Sequence, residues 1–503
     1  MRPFTTRSVP PAIFLFLLAT CPLPAAANFI GPALVEGDVV AGVGTVTRID
    51  NLAINDLGDW LVEADTDNAN TDADVVVVKN GVLHLREADP LAAPVGSNID
   101  SFDAININNN GDSGWNLFLD GTAGTNDDSG IYFNSTLVLQ EGTISASPDF
   151  GPGTPYIGFF EAAIDHNNSS QIFVVASVDD PNIDSTVDRA LVILDIDGAG
   201  NLVSETVLAK ENDLLPGQVE IVDDFGTSPH YFGFNDAGQV LFFANLAGDT
   251  GADGVIYLDN TLLAQEGSPS PVGGRNYEFL SSRGMDLSNS GAYVHKANLD
   301  GDTTDDECII LNGAVFRREG DGLTDIAPYS LTSFGTGSGP VEVDNAGNVL
   351  WYGDWDDPDT DVDTGLFLND DLVVQEGKTM IGGLLVDTIS SGQDAFQLSQ
   401  NGLWAIFEAT LEGGINGAFL IEFTDPVSIE LSQLEAMPAD RAVDVSWVTS
   451  AQVNHDGFHV YRSNSIDGER VRVSSEMVRG ATGEHHFIDR SVRGNATYFY
   501  FIG

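Results

Sequence analysis

The residues with the most obvious chemistry are aspartates. Four Asp-rich segments recur along the chain: ADTDNANTDAD (64–74), VDDPNIDSTVD (178–188), LDGDTTDDE (299–307) and DWDDPDTDVDTG (354–365). Hard carboxylate oxygens at alternate positions can converge on a calcium ion. The candidate ligands are Asp65, Asp67, Asp72, Asp74, Asp300, Asp302, Asp305, Asp356, Asp359, Asp361 and Asp363. None of the segments has a complete twelve-residue calcium loop with Gly sixth and Glu twelfth. DIDGAGN (195–201) comes nearest and reads more simply as a hairpin turn. The competing reading of all four is a set of solvated acidic loops.

Other chemistry is thinner. His84, His166, His230 and His295 are dispersed, and His455, His459, His485 and His486 lie near the C-terminus. His485 and His486 would point to opposite faces of a strand, which is poor for chelation. GTGSGP (335–340) has Thr336 where a nucleophile elbow needs glycine two residues before Ser338. There is no phosphate-binding loop and no zinc motif. Cys308 reads as a buried structural thiol. Trp60, Trp115, Trp351, Trp355 and Trp404 read as core, although Trp351 and Trp355, beside aspartates, could stack on sugar rings. An enzyme would gather His, Tyr, Arg and carboxylate at one place, and convergence of Arg189, Arg317 or His295 with acids would signal it.

The chain carries 20 basic and 76 acidic residues, a net charge of −56. Residues 28–424 hold 11 of the basic and 65 of the acidic residues, a local net charge of −54, whereas 425–503 hold seven arginines. Such a surface repels nucleic acid and anionic lipid. Solubility in salty water explains most of it, because carboxylates this numerous exceed what a few ions need. The opening MRPFTTRSVPPAIFLFLLATCPLPAAANF has two arginines, an apolar run and Ala25-Ala26-Ala27, and reads as a secretory signal over 1–27. A rival reading, Cys21 as a lipid anchor, is opposed by Thr20 directly before it. No other apolar run is long enough to span a bilayer, so the mature chain is expected to be soluble and secreted, extracellular or at the cell surface. With Cys21 removed, Cys308 is alone and no intramolecular disulfide can form.

These residues are positioned by a repeat. A leading turn appears as NDLG (55–58), NNNG (108–111), HNNS (166–169), NDAG (235–238), SNSG (288–291), DNAG (344–347) and SQNG (399–402). A closing glutamate appears at Glu36, Glu87, Glu141, Glu211, Glu266, Glu319 and Glu376, and only the step from Glu141 to Glu211 is much longer than the others. The apolar alternation between them predicts strands, and Asn80-Gly81, Asn134-Ser135, Asp259-Asn260, Asn312-Gly313 and Asn369-Asp370 predict tight hairpins. Four strands per unit and a period of about 50 predict propeller blades. Each Asp-rich segment then joins a second to a third strand. The repeated E-G predicts a structural role, Glu taking backbone donors and Gly permitting the turn. Glu36 precedes every leading turn, and the seventh unit lacks a closing Glu. ALVEGD is therefore expected to pair beside GAFLIEF (417–423), so that both chain ends complete one unit and leave no open sheet edge at the seam.

Residues 32–423, with NDAGQVLFF, EGSPSPVGG (266–274) and EGDVVAG, resemble the propeller-like repeats of secreted bacterial surface proteins of the choice-of-anchor and PEP-CTERM type. READP (86–90) departs from the pattern by lacking Gly after Glu. After Pro426, AVDVSWVTSAQVNHDGFHVYRSNS and NATYFYF resemble a fibronectin type III-like module. Trp447 and Tyr461 would lie in opposed sheets, and the module would be cut short at Gly503. The expectation is an all-β chain: signal 1–27, a seven-bladed propeller-like ring over 28–424 closed by its N-terminal strand, and a β-sandwich over 425–503. The expected function is an exported surface or extracellular binding or structural protein, with an extracellular protein or glycan as partner and calcium-mediated adhesion as one mode. The alternative is a polysaccharide hydrolase or lyase with its site at the channel mouth.

Overall fold

A computed structural model describes residues 29–183, 187–226, 231–281, 283–423, 429–439, 441–452, 458–463, 470–474, 478, 483–493 and 496–502, with backbone alone at 29, 160–166, 429–433 and 449–452. The expected signal segment lies outside them. Every regular element among the described residues is a β-strand, and no helix there is long and apolar enough to cross a membrane. The chain divides into two compact units, Asn28–Phe423 and a second comprising Thr424–Gly503 with Met1–Ala27.

Among its described residues, the larger unit has seven antiparallel sheets formed in chain order. They lie within residues 39–86, 98–140, 156–210, 222–265, 277–318, 331–375 and 380–422, numbered here sheets 1 to 7. Sheet 4 shows the plan. A first strand, split into Val222–Phe225 and Phe232–Phe234, pairs with Val240–Leu246; this pairs with Gly254–Leu258, and that with Thr261–Gln265. Period-two alternation then sends the second strand's side chains to two different neighbours. Val240, Phe242 and Ala244 pack with Phe173 and Val175 of sheet 3, whereas Leu241 and Phe243 pack with Leu299 and Cys308 of sheet 5. A strand buried on both faces must be apolar throughout, which is why VLFFANL shows so little polar alternation.

Every neighbouring pair of sheets has such a cluster. Leu61 and Trp115 represent sheets 1 and 2, Ile131 and Val174 sheets 2 and 3, Val294 and Trp351 sheets 5 and 6, and Leu350 and Phe407 sheets 6 and 7. The seventh cluster, with Ile406 and Val62, returns from sheet 7 to sheet 1, so the packing order is cyclic. The first strands likewise lie each against the next, and the last against the first.

At the seam the N-terminal strand pairs beside 417–423, as expected. Phe29–Val35 runs antiparallel to Ile415–Glu422, with Leu34 opposite Ala418 and Val35 opposite Gly417. Leu34 is buried in the sheet 7 and sheet 1 cluster.

The leading turns form a second closed circle. In it, a turn's second residue donates its backbone N–H to a side-chain oxygen of a following turn: Asp56 to Asn109 Oδ1 (2.8 Å), Asn109 to Asn168 Oδ1 (2.7 Å), Asn168 to Asp236 Oδ1 (2.8 Å) and Asp236 to Asn289 Oδ1 (2.7 Å). Asn289 N–H reaches Gln400 Oε1 (2.8 Å), and Asn401 N–H returns to Asp56 Oδ1 (2.8 Å). The sixth turn joins through Ser290 N–H to Asn345 Oδ1 (3.0 Å) and Asn345 N–H to the Gln400 carbonyl (2.8 Å). Gln400 thus touches turns of two different sheets, which brings the turns close together at one end of the strands.

One expectation needs correction. The third leading turn is not centred on His166: Asn167 takes the role of Asn235, its Oδ1 accepting Ser169 and Gln171 N–H and its Nδ2 donating to the Asn235 carbonyl. The hairpin residues behave as expected. Asn80, Asn134, Asp259, Asn312 and Asn369 all have φ between 49 and 55°, and each side chain accepts the first N–H of its second strand at 2.9–3.0 Å.

In the smaller unit, Ile429–Ala439, Ala442–Gln452 and Gly483–Asp489 form one sheet, and Val471–Arg472, Val460–Ser463 and Phe499–Ile502 another. Trp447 lies in the first sheet and Tyr461 in the second, and Val445, Trp447, Phe458 and Val460 form a shared core. His485 is buried and His486 exposed, on opposite faces as expected.

Deleting residues 29–35 would bare the Ile415–Glu422 edge and remove Leu34 from its cluster. Such a chain is expected to melt at lower temperature and to form concentration-dependent oligomers, checked by thermal unfolding and by light scattering after gel filtration.

Candidate functional site

Each second strand starts at a leading turn and runs to the loop joining it to the third strand, so these loops sit at the strand ends opposite the turn circle. The Asp-rich segments are these loops. Their side chains are largely committed to the protein. Asp67 Oδ1 accepts Thr45 N–H (2.6 Å), Asp300 Oδ1 accepts Asn276 N–H (2.9 Å) and Asp356 Oδ1 accepts Ser330 N–H (2.7 Å). In all three the aspartate N–H bonds back to that same residue's carbonyl. The same clamp therefore ties loop to first strand in sheets 1, 5 and 6.

The remaining candidate ligands are spread out. Asp65 faces Arg48 at 3.4 Å, Asp74 bonds the Glu87 carboxyl, and Asp302 accepts Thr304 N–H and Oγ1–H. Asp305 is held by Arg275 and Arg318. Asp359 accepts Asp361 N–H at 3.4 Å, Asp363 lies near Glu376, and Asp72 and Asp361 are exposed. Among the described residues, no three His, Cys, Asp or Glu side chains are grouped so as to hold a metal ion.

In sheet 5 the centre of the loop is occupied by a guanidinium. Arg275 donates from Nε to the Asp300 carbonyl, from Nη1 to the carbonyl and carboxylate of Asp305, and from Nη2 to the carbonyls of Leu299 and Asp302 (both 3.1 Å). A planar fork can satisfy several converging oxygens at once, which an ammonium cannot match in geometry. The stretch SPSPVGGRNYEF gives no hint of this, because the whole first strand and leading turn of sheet 5 separate Arg275 from the loop it fills.

The closing strands fasten the same loops, and the QEG triplet divides the work. Gln140, Gln265 and Gln375 donate Nε2–H to the carbonyls of Asp127 (2.7 Å), Ala252 (2.9 Å) and Val362 (2.8 Å). In sheet 5 Arg318 does this instead, through Nε to the Asp305 carbonyl at 2.6 Å. The glutamate accepts the N–H that opens the third strand: Val75 to Glu87 (3.1 Å), Gly254 to Glu266 (3.2 Å) and Glu307 to Glu319 (3.0 Å). The glycine has positive φ, and at Gly142, Gly267 and Gly377 a Cβ would also lie within 2.9 Å of a loop carbonyl, whereas at Gly37 and Gly320 it would meet nothing within 4 Å. At READP the backbone keeps this conformation without glycine, Ala88 having φ 62°.

A buried cluster that the sequence did not single out lies between sheets 5 and 6. Lys296, 2 % exposed, donates Nζ–H to the carbonyls of Phe334 (3.0 Å) and Thr336 (2.9 Å). Burial pulls its pKa down to about 8. Glu307 pairs with Arg283 at 3.2 Å and accepts Phe334 N–H. These groups hold 334–341, where the first strand of sheet 6 leaves its ladder and where GTGSGP lies. A lone lysine in YVHKANL offers one signal, a charge on a strand otherwise patterned for burial on both faces.

The residues whose convergence would mark an enzyme lie apart. His295 is buried against Tyr277, with ring centroids 6.2 Å apart, and burial pushes its pKa down to about 4. Arg189 pairs with Asp224 in sheets 3 and 4, and Arg317 pairs with Asp370. Trp351 and Trp355 pack on Phe367 and are buried, so neither offers a face to a sugar. Cys308 is buried, its thiol pushed up to about 12 by burial.

Two substitutions test these loop contacts. Ala88→Gly should relieve a left-handed alanine and stabilise the chain by about 1 kcal/mol, measured by denaturant unfolding. Arg275→Ala strips the carbonyls of Leu299, Asp300 and Asp302 of their donor and should cost about 2–4 kcal/mol, with Arg275→Lys recovering only part; proteolysis of the 299–306 loop should accelerate in the same order.

Residues 30–259 match a family of unknown function, DUF7453. The match begins in the N-terminal strand and ends in the hairpin of sheet 4. No curated protein matches the chain.

Proposed function

We propose that this chain is an exported binding scaffold: a seven-bladed propeller-like ring sealed by its own N-terminal strand, followed by a fibronectin type III-like module, presenting its acidic loops to an extracellular protein or glycan. The observation that carries this reading is the fastening of those loops. Clamps from the first strand, Gln or Arg from the closing strand and the Arg275 fork hold them in place at one end of the strands. A pre-organised surface loses less entropy when a partner binds. The cyclic order of seven apolar clusters supports the ring, and the two small sheets sharing Trp447 support the module. Export rests on the 1–27 signal pattern.

The rival reading, a polysaccharide hydrolase or lyase, asks for a cluster of His, Arg and acid. His295, Arg189 and Arg317 each belong to separate contacts, which favours binding over catalysis.

The test is an array of extracellular glycans and surface proteins probed with the full chain and with Asp65, Asp67, Asp72 and Asp74 all changed to Asn. Binding that is lost in the variant and unaffected by chelator is expected. Binding that survives the variant would overturn the loop face as the site, a calcium requirement would turn the aspartates from presentation to ion coordination, and release of reducing ends would favour the hydrolase.

A further inference from the structure

Six of the seven closing glutamates have an aspartate that recurs beside them. The last residue of the loop before the third strand is Asp74, Asp128, Asp253, Asp306 and Asp363 in sheets 1, 2, 4, 5 and 6, and in sheet 3 the third strand itself opens with Asp188. In five of these the closing glutamate follows at one constant spacing, Asp74 to Glu87 and Asp253 to Glu266 among them; in sheet 3 the longer hairpin sets Glu211 farther from Asp188. Antiparallel pairing of the third and fourth strands puts the two side by side: Glu266 N–H bonds the Gly254 carbonyl and Glu141 N–H the Ser129 carbonyl, both 2.9 Å. The Glu141 carboxyl thus lies beside that of Asp128, and the Glu266 carboxyl beside that of Asp253.

Two ionised carboxylates cannot donate to one another. A hydrogen bond between them needs one proton, shared as in other close carboxyl pairs. A metal ion in its place would want further ligands, and no third such side chain is grouped with either pair among the described residues. We propose that these two carboxyl pairs are a proton-operated lock, in which one shared proton fastens the ends of the sheet 2 and sheet 4 loops to their closing strands and its loss frees those ends.

The surroundings of each pair point the same way. Around Glu141 the charged groups are Asp128 and Asp127, and the nearby donor Gln140 is spent on the Asp127 carbonyl. Around Glu266 the charged group is Asp253, while Gly254 and Leu280 supply backbone N–H bonds, the latter from sheet 5. No cation is among these neighbours. Burial first, and then the Asp128 carboxyl, push the Glu141 pKa from 4.5 to about 7; burial raises that of Glu266 as well, Asp253 adding to it. A folded-state pKa above the unfolded value means that the proton's contribution is complete below about 4.5 and is lost as pH rises through about 7. The lock is therefore closed in mild acid and opens from neutral to alkaline pH. It does not depend on whether the loop face binds a partner, because its readout is loop anchoring.

The test is hydrogen exchange of the full chain at pH 5.5 and 8.5, corrected for the intrinsic rate, in 1 M NaCl to screen the general repulsion of an acidic surface. Protection of amides in 121–127 and 247–252 should fall about tenfold at the higher pH. In the Glu141→Gln, Glu266→Gln double variant an amide can donate to the aspartate at every pH, so protection should no longer depend on pH, although the loss of one acceptor for Gly254 or Leu280 N–H lowers protection of 247–252 equally at both pH values. Asp128→Asn with Asp253→Asn approaches the same pairs from the other side and should behave alike, which guards against a folding defect peculiar to one variant. Protection that is independent of pH in the unsubstituted chain, or that falls equally in both double variants, would overturn the lock.

Discussion

The constraint on which the larger unit depends is cyclic closure. No sheet in it has a core of its own; each second strand divides its side chains between the sheet before and the sheet after. An open row of such sheets would leave two apolar faces in water, and the cost of those faces is what makes a circle the stable arrangement. The N-terminal strand answers this at the edge by pairing with Ile415–Glu422 and inserting Leu34 into the last cluster. The turn circle answers it at the strand ends, where each Asn or Asp oxygen takes a neighbour's N–H that would otherwise lack a partner. The closure is made of chain segments far apart in sequence, so its parts form together.

Closure also dictates how scarce cations are used. With 11 basic residues in 28–424 against 65 acidic ones, pairing every acid is impossible. Several cations spend donors on carbonyls: Arg275 fills the 299–305 loop, buried Lys296 holds the excursion at 334–336, and Lys79 reaches the Gly111 carbonyl of the next turn at 2.7 Å. A carbonyl in an irregular loop has no ladder partner, and a charge-assisted donor offsets that loss better than a neutral one. The surplus carboxylates do likewise from the other side, capping backbone N–H groups where loops meet strands.

Much of this is legible in the residue pattern. The seven turns, the hairpin asparagines, the offset that makes the N-terminal strand the missing edge and the structural role of Glu in E-G follow from local rules of turn geometry and alternation, and VVVVK or VLFFANL announce strands buried on both faces. What local rules miss is partnership across the fold. Spacing within one segment treats the aspartates as if each loop had to converge on itself, whereas Asp67, Asp300 and Asp356 reach back to a first strand, across the intervening second strand of their sheets. Arg275 and Lys296 escape a local reading for the same reason. Matching letters centres the third turn on His166; the hydrogen bonds count from Asn167, the asparagine whose oxygen caps the turn.

The aspartate beside the closing glutamate is missing from one sheet, and its absence bears on what it is for. In sheet 7 the closing strand is the N-terminal one, and Glu36 still accepts a backbone N–H near the start of its neighbour, from Asn416, the second residue of that strand, at 3.3 Å. The residue that would carry the pairing aspartate is Ile415. Here the second and third strands are joined by a short turn at 412–414, with no acidic loop to fasten. Were the aspartate needed for strand pairing or for the glutamate's backbone bond, it would persist in this sheet as the glutamate does. It is present in the six sheets that have a long loop and absent from the one that does not. The glutamate thus belongs to the sheet and the aspartate to the loop.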